Sequence, residues 1–348
     1  MTLQTIADRL GVSRMTVSNA FSRPDQLSEE LRRRILETAE ELGYAGPDPA
    51  ARALVRGTTG AVGVLLTDSL RYAFTDDVAT GFLGAVVDEL APTGSALTLL
   101  TSDGHSGSTP ARDVAIDGAI VYSCRPRSAA QDWLLRRGLP LVYVDQEPVP
   151  GITSVNVDDR GGARAAAQHL VDLGHRHVAI VILAPVDEAA GPAYPERERM
   201  RGWLDGLDTA GVEPTVATVA RHTEDDAETA ARPLLARRPR PTAVLCFSDL
   251  LALGVLRAAE RSGLRVPADL SIVGFDDSPI ARRSDPGLTT VRQDVAEKGR
   301  LAATALTETI RGARAGTAPQ VRHHVVPTEL VIRQSTAAPD RAASRPGS

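Results

Sequence analysis

From Ala61 onward the sequence repeats one texture, a short run of continuous apolar residues followed by an amphipathic stretch of helical period. Apolar runs stand at 61–66, 96–100, 118–121, 139–144, 154–157, 177–182, 243–247 and 271–274. Amphipathic stretches fall between them at 78–90, 129–137, 160–173, 197–210, 227–236 and 250–262. Strands that are apolar along their whole length are buried on both faces, which points to parallel sheets covered by helices on either side. The units are too many for one compact sheet, so two α/β subdomains are expected. With 43% hydrophobic residues the chain has material for such cores, and disordered and collagen-like architectures are excluded. Aromatics make up only 3%, so Ala, Val, Leu and Ile must build the cores.

The first 44 residues differ. Leu3, Ile6, Ala7 and Leu10 follow the spacing of one helical face, with Thr2 placed to cap it. Gly11 interrupts, and Ser13 caps a second helix running to about Ser22. Ser28 caps a third, whose apolar face is Leu31, Ile35, Leu36, Ala39 and Leu42, and Gly43 ends it. Residues 45–60 are rich in Pro, Gly and Ala and predict a linker with one short helix inside: Asp48 as cap, Pro49 at the first helical position, then 50–55. Residues 334–348 predict a disordered tail.

Residues 7–18 carry helix-turn-helix spacing. Ala7 is small where two helices would cross, Gly11 permits a positive-φ turn, and Val12 and Val17 lock the pair. A second helix held this way can lie in the major groove. Arg14, Met15 and Asn19 then face outward together, suited to guanine, a thymine methyl and adenine. Ser13, Thr16, Ser18 and Ser22 offer short hydroxyls for phosphate contacts. The plainer alternative is a helical hairpin in an ordinary helical domain. The formal charge of −5 speaks against a nucleic-acid partner until it is divided along the chain. Residues 1–57 hold eight arginines and eight acids, whereas the remainder holds 31 basic and 36 acidic residues. The head is thus neutral, and DNA binding is not excluded.

Other classes find little support. Cys124 and Cys246 each sit in an apolar run as small core residues, with no disulfide framework and no metal-ligand spacing, so neither metal nor cofactor is expected. A Gly-x-Ser-x-Gly elbow and a Gly-rich phosphate loop are missing, so an enzyme is not expected. The first residues lack the pattern of a secretory signal and no apolar run reaches membrane-spanning length, so a cytoplasmic location is expected.

Several segments together carry a resemblance: Thr5-Ile6-Ala7 with Gly11-Val12-Ser13-Arg14-Met15-Thr16-Val17-Ser18, the linker Pro47-Asp48-Pro49-Ala50-Ala51-Arg52-Ala53-Leu54, and in the core Asp158-Asp159-Arg160-Gly161-Gly162, Ser248-Asp249-Leu250-Leu251-Ala252-Leu253-Gly254 and Ser271-Ile272-Val273-Gly274-Phe275-Asp276-Asp277. From Thr2 to about Arg333 the chain is similar to the LacI/GalR family of bacterial transcription regulators. The resemblance implies an all-α helix-turn-helix head at 1–44 and a linker with a hinge helix at 45–60. It implies an α/β core of two Rossmann-like subdomains of periplasmic-binding-protein type, 61–157 with about 291–318 and 158–290 with about 319–333.

The same resemblance implies a homodimer on a pseudo-palindromic operator in double-stranded DNA, with a sugar or sugar derivative as effector. At the linker it makes Leu54 a wedge for a central minor-groove step, with Ala51 and Arg52 beside it. In the cleft it makes Arg199 the arginine that holds a hydroxyl pair or a carboxylate, and Asp276 an acceptor of ligand hydroxyls. Asp145 and Ser248 lie at matching strand ends, with Thr67 and Phe74 on the opposite wall. For the acids the plainer alternative is a helix cap or a surface charge. Where relatives place a stacking aromatic, residues 221–224 offer only His222. The absence of leucine from 334–348 favours a dimer over a tetramer. A solute-binding protein of a sugar transport system is the competing expectation; it would carry a signal peptide and no helix-turn-helix.

Overall fold

The computed structural model describes residues 1–339 except 47, 49, 50, 52, 55, 56, 67–69, 102–108, 124–127, 186–190 and 318–319. It divides into two compact units, Met1–Gly60 and Ala61–Ser348.

In the first unit the helices α1 (Leu3–Leu10), α2 (Arg14–Ser22) and α3 (Glu29–Glu41) each begin where a hydroxyl can take up an orphan N–H. Thr2 accepts from Thr5 N, Ser13 from Thr16 N at 3.0 Å and Ser28 from Leu31 N. Gly11 turns the chain between α1 and α2 at φ +66°, a conformation that a side chain would oppose. Ile6, Ala7, Val17, Ala20, Ile35 and Ala39 form the buried centre of this small unit, with Val12 and Phe21 packed around it.

The second unit is built on two six-stranded sheets. The first joins β1 (Ala61–Leu66), β2 (Ala96–Thr101), β3 (Ala119–Tyr122), β4 (Leu141–Val144), β5 (Thr153–Val157) and β11 (His323–Val326) in the order β11-β5-β4-β3-β1-β2, all parallel. The second joins β6 (Val178–Leu183), β7 (Thr215–Val219), β8 (Ala243–Cys246), β9 (Ser271–Asp276), β10 (Thr289–Gln293) and β12 (Thr328–Val331) in the order β12-β10-β9-β8-β6-β7. Only β12 runs antiparallel, against β10. Alternate residues of a strand feed opposite cores: Ala179 and Val181 of β6 pack on one side, Val178, Ile180 and Ile182 on the other. That two-sided burial is why the strands are continuous apolar runs. Among the described residues no helix is long and apolar enough to cross a membrane.

The chain passes between the sheets three times, after β5, after β10 and between β11 and β12. On the second passage β10 leads into the helix Val295–Arg314, which packs on Asp77–Leu90 beside the first sheet. Gly299 permits that approach, since a Cβ there would stand 2.8 Å from Phe82 O. The three passages link the two sheets.

Four strands escape the apolar-run reading. β7 and β11 are sheet edges with alternating exposure, and β12 is also an edge. β10 is central yet mostly polar; its Thr289 and Thr290 are fully buried because their hydroxyls are hydrogen-bonded, Thr290 to Asp249 and Thr289 beside Thr336. The disorder expected over 334–348 does not hold for its described part, 334–339; residues 340–348 lie outside the described residues. Gln334 to Pro339 pack on the second sheet, with Ser335 fully buried and donating to Ile272 O at 2.6 Å. Ala337 O meets His175 Nε2 at 2.9 Å. A segment poor in large apolar residues is ordered here by hydrogen bonds rather than by burial of hydrocarbon. Cys246 is buried, which pushes its thiol up; Cys124 lies outside the described residues.

Candidate DNA-reading surface and effector cleft

On α2 the buried residues are Val17 and Ala20, so the opposite face is left to Arg14, Met15, Ser18, Asn19 and Ser22. Arg14 and Met15 are exposed, Met15 by 69%. Ser13 and Thr16 are joined by hydroxyl contact at 2.8 Å as part of the cap. Asn19 donates from Nδ2 to Gln26 Oε1 at 3.1 Å, and Ser22 donates to Ser18 O at 2.8 Å. An exposed Met and Arg at the amino end of a capped helix present a thioether and a guanidinium with the free N–H groups of the first turn. In the linker Ala51, Ala53 and Leu54 are helical, and Leu54 is 85% exposed. Arg52 lies outside the described residues.

In the second unit the structure brings together Arg199, Asp276, Asp145 and Ser248, all at the carboxyl ends of strands or facing them. Arg199 projects from the helix Tyr194–Asp208 and is buried. Its Nε donates to Asp159 at 2.8 Å, and its Nη1 donates to Phe247 O at 2.5 Å and stands 3.6 Å from Asp276 Oδ1. The guanidinium lies over the rings of Phe275 at 3.6 Å and Phe247 at 4.5 Å. Asp276 Oδ1 also accepts from Gln293 Nε2 at 2.7 Å. Gln293 Oε1 in turn accepts from Lys298 Nζ at 2.9 Å, and Lys298 donates to Asp145 Oδ2 at 2.7 Å.

A second chain of contacts crosses between the subdomains. Asp76, which caps the helix Asp77–Leu90, lies 3.4 Å from Nδ1 of His222, whose Nε2 meets Ser248 Oγ at 2.6 Å. Ser248 also caps Asp249–Arg261 by accepting from Leu251 N. Phe74, on the short helix Tyr72–Thr75, stays 69% exposed, and Thr67 lies outside the described residues.

Burial and crowding shift the acids. Burial raises Asp276 to about 7, with Asp249 and Asp76 adding to the rise while Arg199 opposes it. Burial raises Asp159 to about 6 against the pull of Arg199, and raises Asp249 to about 6 against hydrogen bonds from Thr290 and Ser278. Burial, then Asp145, Asp76 and Asp276, push Tyr122 well above the ordinary phenol. The backbone is strained at the same place: Ser123, Asp145, Asp276 and Asp277 all hold positive φ at strand ends.

Residue patterns did not reveal Lys298, Gln293, Asp159, Asp76 or Tyr122 as members of this cluster. One signal was available, since Lys298 is the single lysine in the chain. A lone lysine in an arginine-rich chain, seated in an apolar helix face, asks for a buried partner.

Residues 2–46 match the family described as bacterial regulatory proteins of the lacI family, and residues 167–336 match a periplasmic binding protein-like domain. The HTH-type transcriptional regulator IpsA of Corynebacterium glutamicum is 39% identical over 320 residues, covering 86% of this chain and 88% of that protein. The chain belongs to the LacI family. Among solved structures, a CelR–cellobiose complex aligns at a TM-score of 0.71 with 30% identity, covering 96% of this chain and 99% of that one. The lac repressor dimer bound to operator and the anti-inducer ONPF aligns at 0.80 with 25% identity, covering 97% and 99%. This LacI-family chain is therefore a transcriptional regulator and not an enzyme. The match over 2–46 separates it from solute-binding proteins, which share only the core fold.

Proposed function

We propose that the chain is an effector-gated repressor of a carbohydrate-related operon, acting in the cytoplasm as a homodimer on a pseudo-palindromic operator. The observation that carries this reading is the joint presence of an outward face on α2 (Arg14, Met15, Asn19) and a strained, polar cleft around Arg199 and Asp276. Arg14, Met15 and Asn19 read base edges; Ser13, Thr16, Ser18 and Ser22 hold phosphates. Leu54 wedges the central minor-groove step, flanked by Ala51 and Arg52. Effector binds at Arg199, Asp276, Asp145 and Ser248, with Thr67 and Phe74 on the far wall. It shifts the population of core arrangements, and with it the pairing of the linker helices on DNA. The domain limits that accompany this reading are 1–44, 45–60, 61–157 with 291–318, and 158–290 with 319–333.

The test is a gel shift with genomic fragments that include the DNA upstream of the chain's own gene. Sequence-specific, salt-sensitive binding is expected, weakened about tenfold or more by Leu54→Ala, a loss of about 1.4 kcal/mol. Binding that is indifferent to sequence refutes the regulator reading.

A further inference from the structure

The end of α2 is tied to the turn that follows it. Arg23 N donates to Asn19 O at 2.8 Å and closes the last turn of the helix. The chain then folds back through the short turn Pro24–Gln26, where Gln26 N donates to Arg23 O at 3.1 Å. That reversal lays the Gln26 side chain beside Asn19, and Asn19 Nδ2 donates to Gln26 Oε1 at 3.1 Å. Gln26 is exposed, and Asn19 is half-buried on the side of α2 away from Val17 and Ala20. A side-chain amide carries two donor hydrogens on its nitrogen and an acceptor oxygen. With one Nδ2 hydrogen taken by Gln26, Asn19 is left with Oδ1 and a single Nδ2 hydrogen to offer outward.

We propose that Gln26 is a positioning residue that sets base specificity: by holding one Nδ2 hydrogen of Asn19 it makes Asn19 take adenine and reject guanine. The inference rests on Asn19 reading a base edge and adds the residue that decides which edge it takes. In the major groove adenine presents one acceptor, N7, and one donor, N6. These match the one hydrogen and the one oxygen that Asn19 has left. Guanine presents two acceptors, N7 and O6, and an untethered Asn would turn both Nδ2 hydrogens to them. Once Gln26 holds one of those hydrogens, guanine loses its second donor and faces Oδ1 with an acceptor of its own. Adenine loses nothing. Gln26 itself touches no base in this arrangement and acts through Asn19.

Selection by the full chain from duplex DNA with a randomised core, read by sequencing, tests this without a known operator. The wild type should favour adenine over guanine by about tenfold at one position of each half-site, and Asn19→Ala should erase that preference and so mark the position. Gln26→Met keeps the length of the side chain and removes its amide. The adenine-to-guanine ratio there should fall to about threefold or less, with the preferences at all other positions kept. Gln26→Ala repeats the measurement should the Met variant not fold. Gln26→Glu gives Nδ2 an acceptor again and should bring the ratio back to within about twofold of the wild type, although its charge weakens binding to every sequence. Equal weakening of all sequences in Gln26→Met, with the ratio intact, makes Gln26 a phosphate contact and overturns the proposal. A ratio that Gln26→Glu fails to restore, or a wild type that takes guanine at the marked position, overturns it too. The failures are separable. A ratio that survives Gln26→Met sinks this inference alone, one that survives Asn19→Ala removes Asn19 from base reading as well, and binding indifferent to sequence sinks the regulator reading.

Discussion

Lys298→Met isolates the buried ionic link between Lys298 and Asp145. Lys298 is 1% exposed, and its ammonium donates to Asp145 at 2.7 Å and to Gln293 at 2.9 Å, with the ring of Tyr122 5.7 Å away. Methionine keeps much of the apolar stem and removes only the charge and its donors. Asp145 Oδ1 already lacks a donor, so the substitution leaves both carboxylate oxygens bare in a buried site. Removing one partner of a buried pair costs about 3–5 kcal/mol, because the remaining charge is uncompensated. For a unit of this size each kcal/mol lowers the melting midpoint by about 2–4 °C, so a fall on the order of 10 °C is expected. The decisive assay is a double-mutant cycle in urea with Asp145→Asn. If the cost is the stranded charge, Lys298→Met/Asp145→Asn is more stable than Lys298→Met alone, with a coupling of about 2 kcal/mol or more. A single-variant cost below about 1 kcal/mol, or costs that simply add, would refute the reasoning.

Asp276 is raised from 3.8 to about 7, so it binds its proton more tightly in the folded state, and its contribution to stability is present below pH 4 and lost as pH rises to about 7. Asp276→Asn removes that loss, so urea midpoints at pH 5 and pH 8 should lie closer together in the variant than in the wild type; equal pH dependence would count against it. Ser13→Ala removes the acceptor for Thr16 N and should cost about 1 kcal/mol, seen in the full chain as faster hydrogen exchange confined to α2. Gly202→Ala would place a Cβ 2.2 Å from Arg160 O and 2.9 Å from the Cβ of Ala163, where Tyr194–Asp208 crosses Asp159–Asp172. A loss of about 1–3 kcal/mol or more is expected in chemical denaturation. Truncation after Arg333 removes the buried Ser335 and the acceptor of His175 and should lower the melting midpoint.

The fold was legible wherever burial acts on hydrocarbon. β1, β6 and β8 are buried on both faces, so each is a continuous apolar run that composition cannot hide. The caps were legible because Thr2, Ser13 and Ser28 are chemically obvious acceptors just before amphipathic runs. β10 was not, because Thr-Thr-Val-Arg-Gln owes its place to hydrogen bonds whose partners, Asp249, Thr336 and Ser335, are about 40 or more residues away in sequence. The segment from Gln334 to Pro339 fails for the same reason: its anchors are His175, Ser271 and Ile272. Periodicity reports the face a residue turns to solvent and is silent on which polar partner waits in the interior.

That limit bears directly on the charge of the chain. The excess of 36 acids over 31 basic residues beyond the head suggests a uniformly acidic surface. Part of that excess is internal: among the described residues Asp76, Asp145, Asp159, Glu228, Asp249 and Asp277 are buried, and of the lysines and arginines only Arg199 and Lys298. Charge of this kind does not repel a nucleic acid at a distance, because it is partly neutralised by its own cations, Arg199 and Lys298. It acts on whatever enters the cleft. A summed charge near zero in the head and an acid excess in the core are therefore two separate instructions. On the proposed reading the neutral head leaves specificity to base contacts by Arg14 and Asn19, and its operator affinity should fall less steeply with salt than that of a strongly basic head. The Asp145→Asn/Asp276→Asn variant should leave the first untouched: its salt slope on operator DNA should match the wild type. A changed slope would mean that cleft charge and DNA contact are not independent.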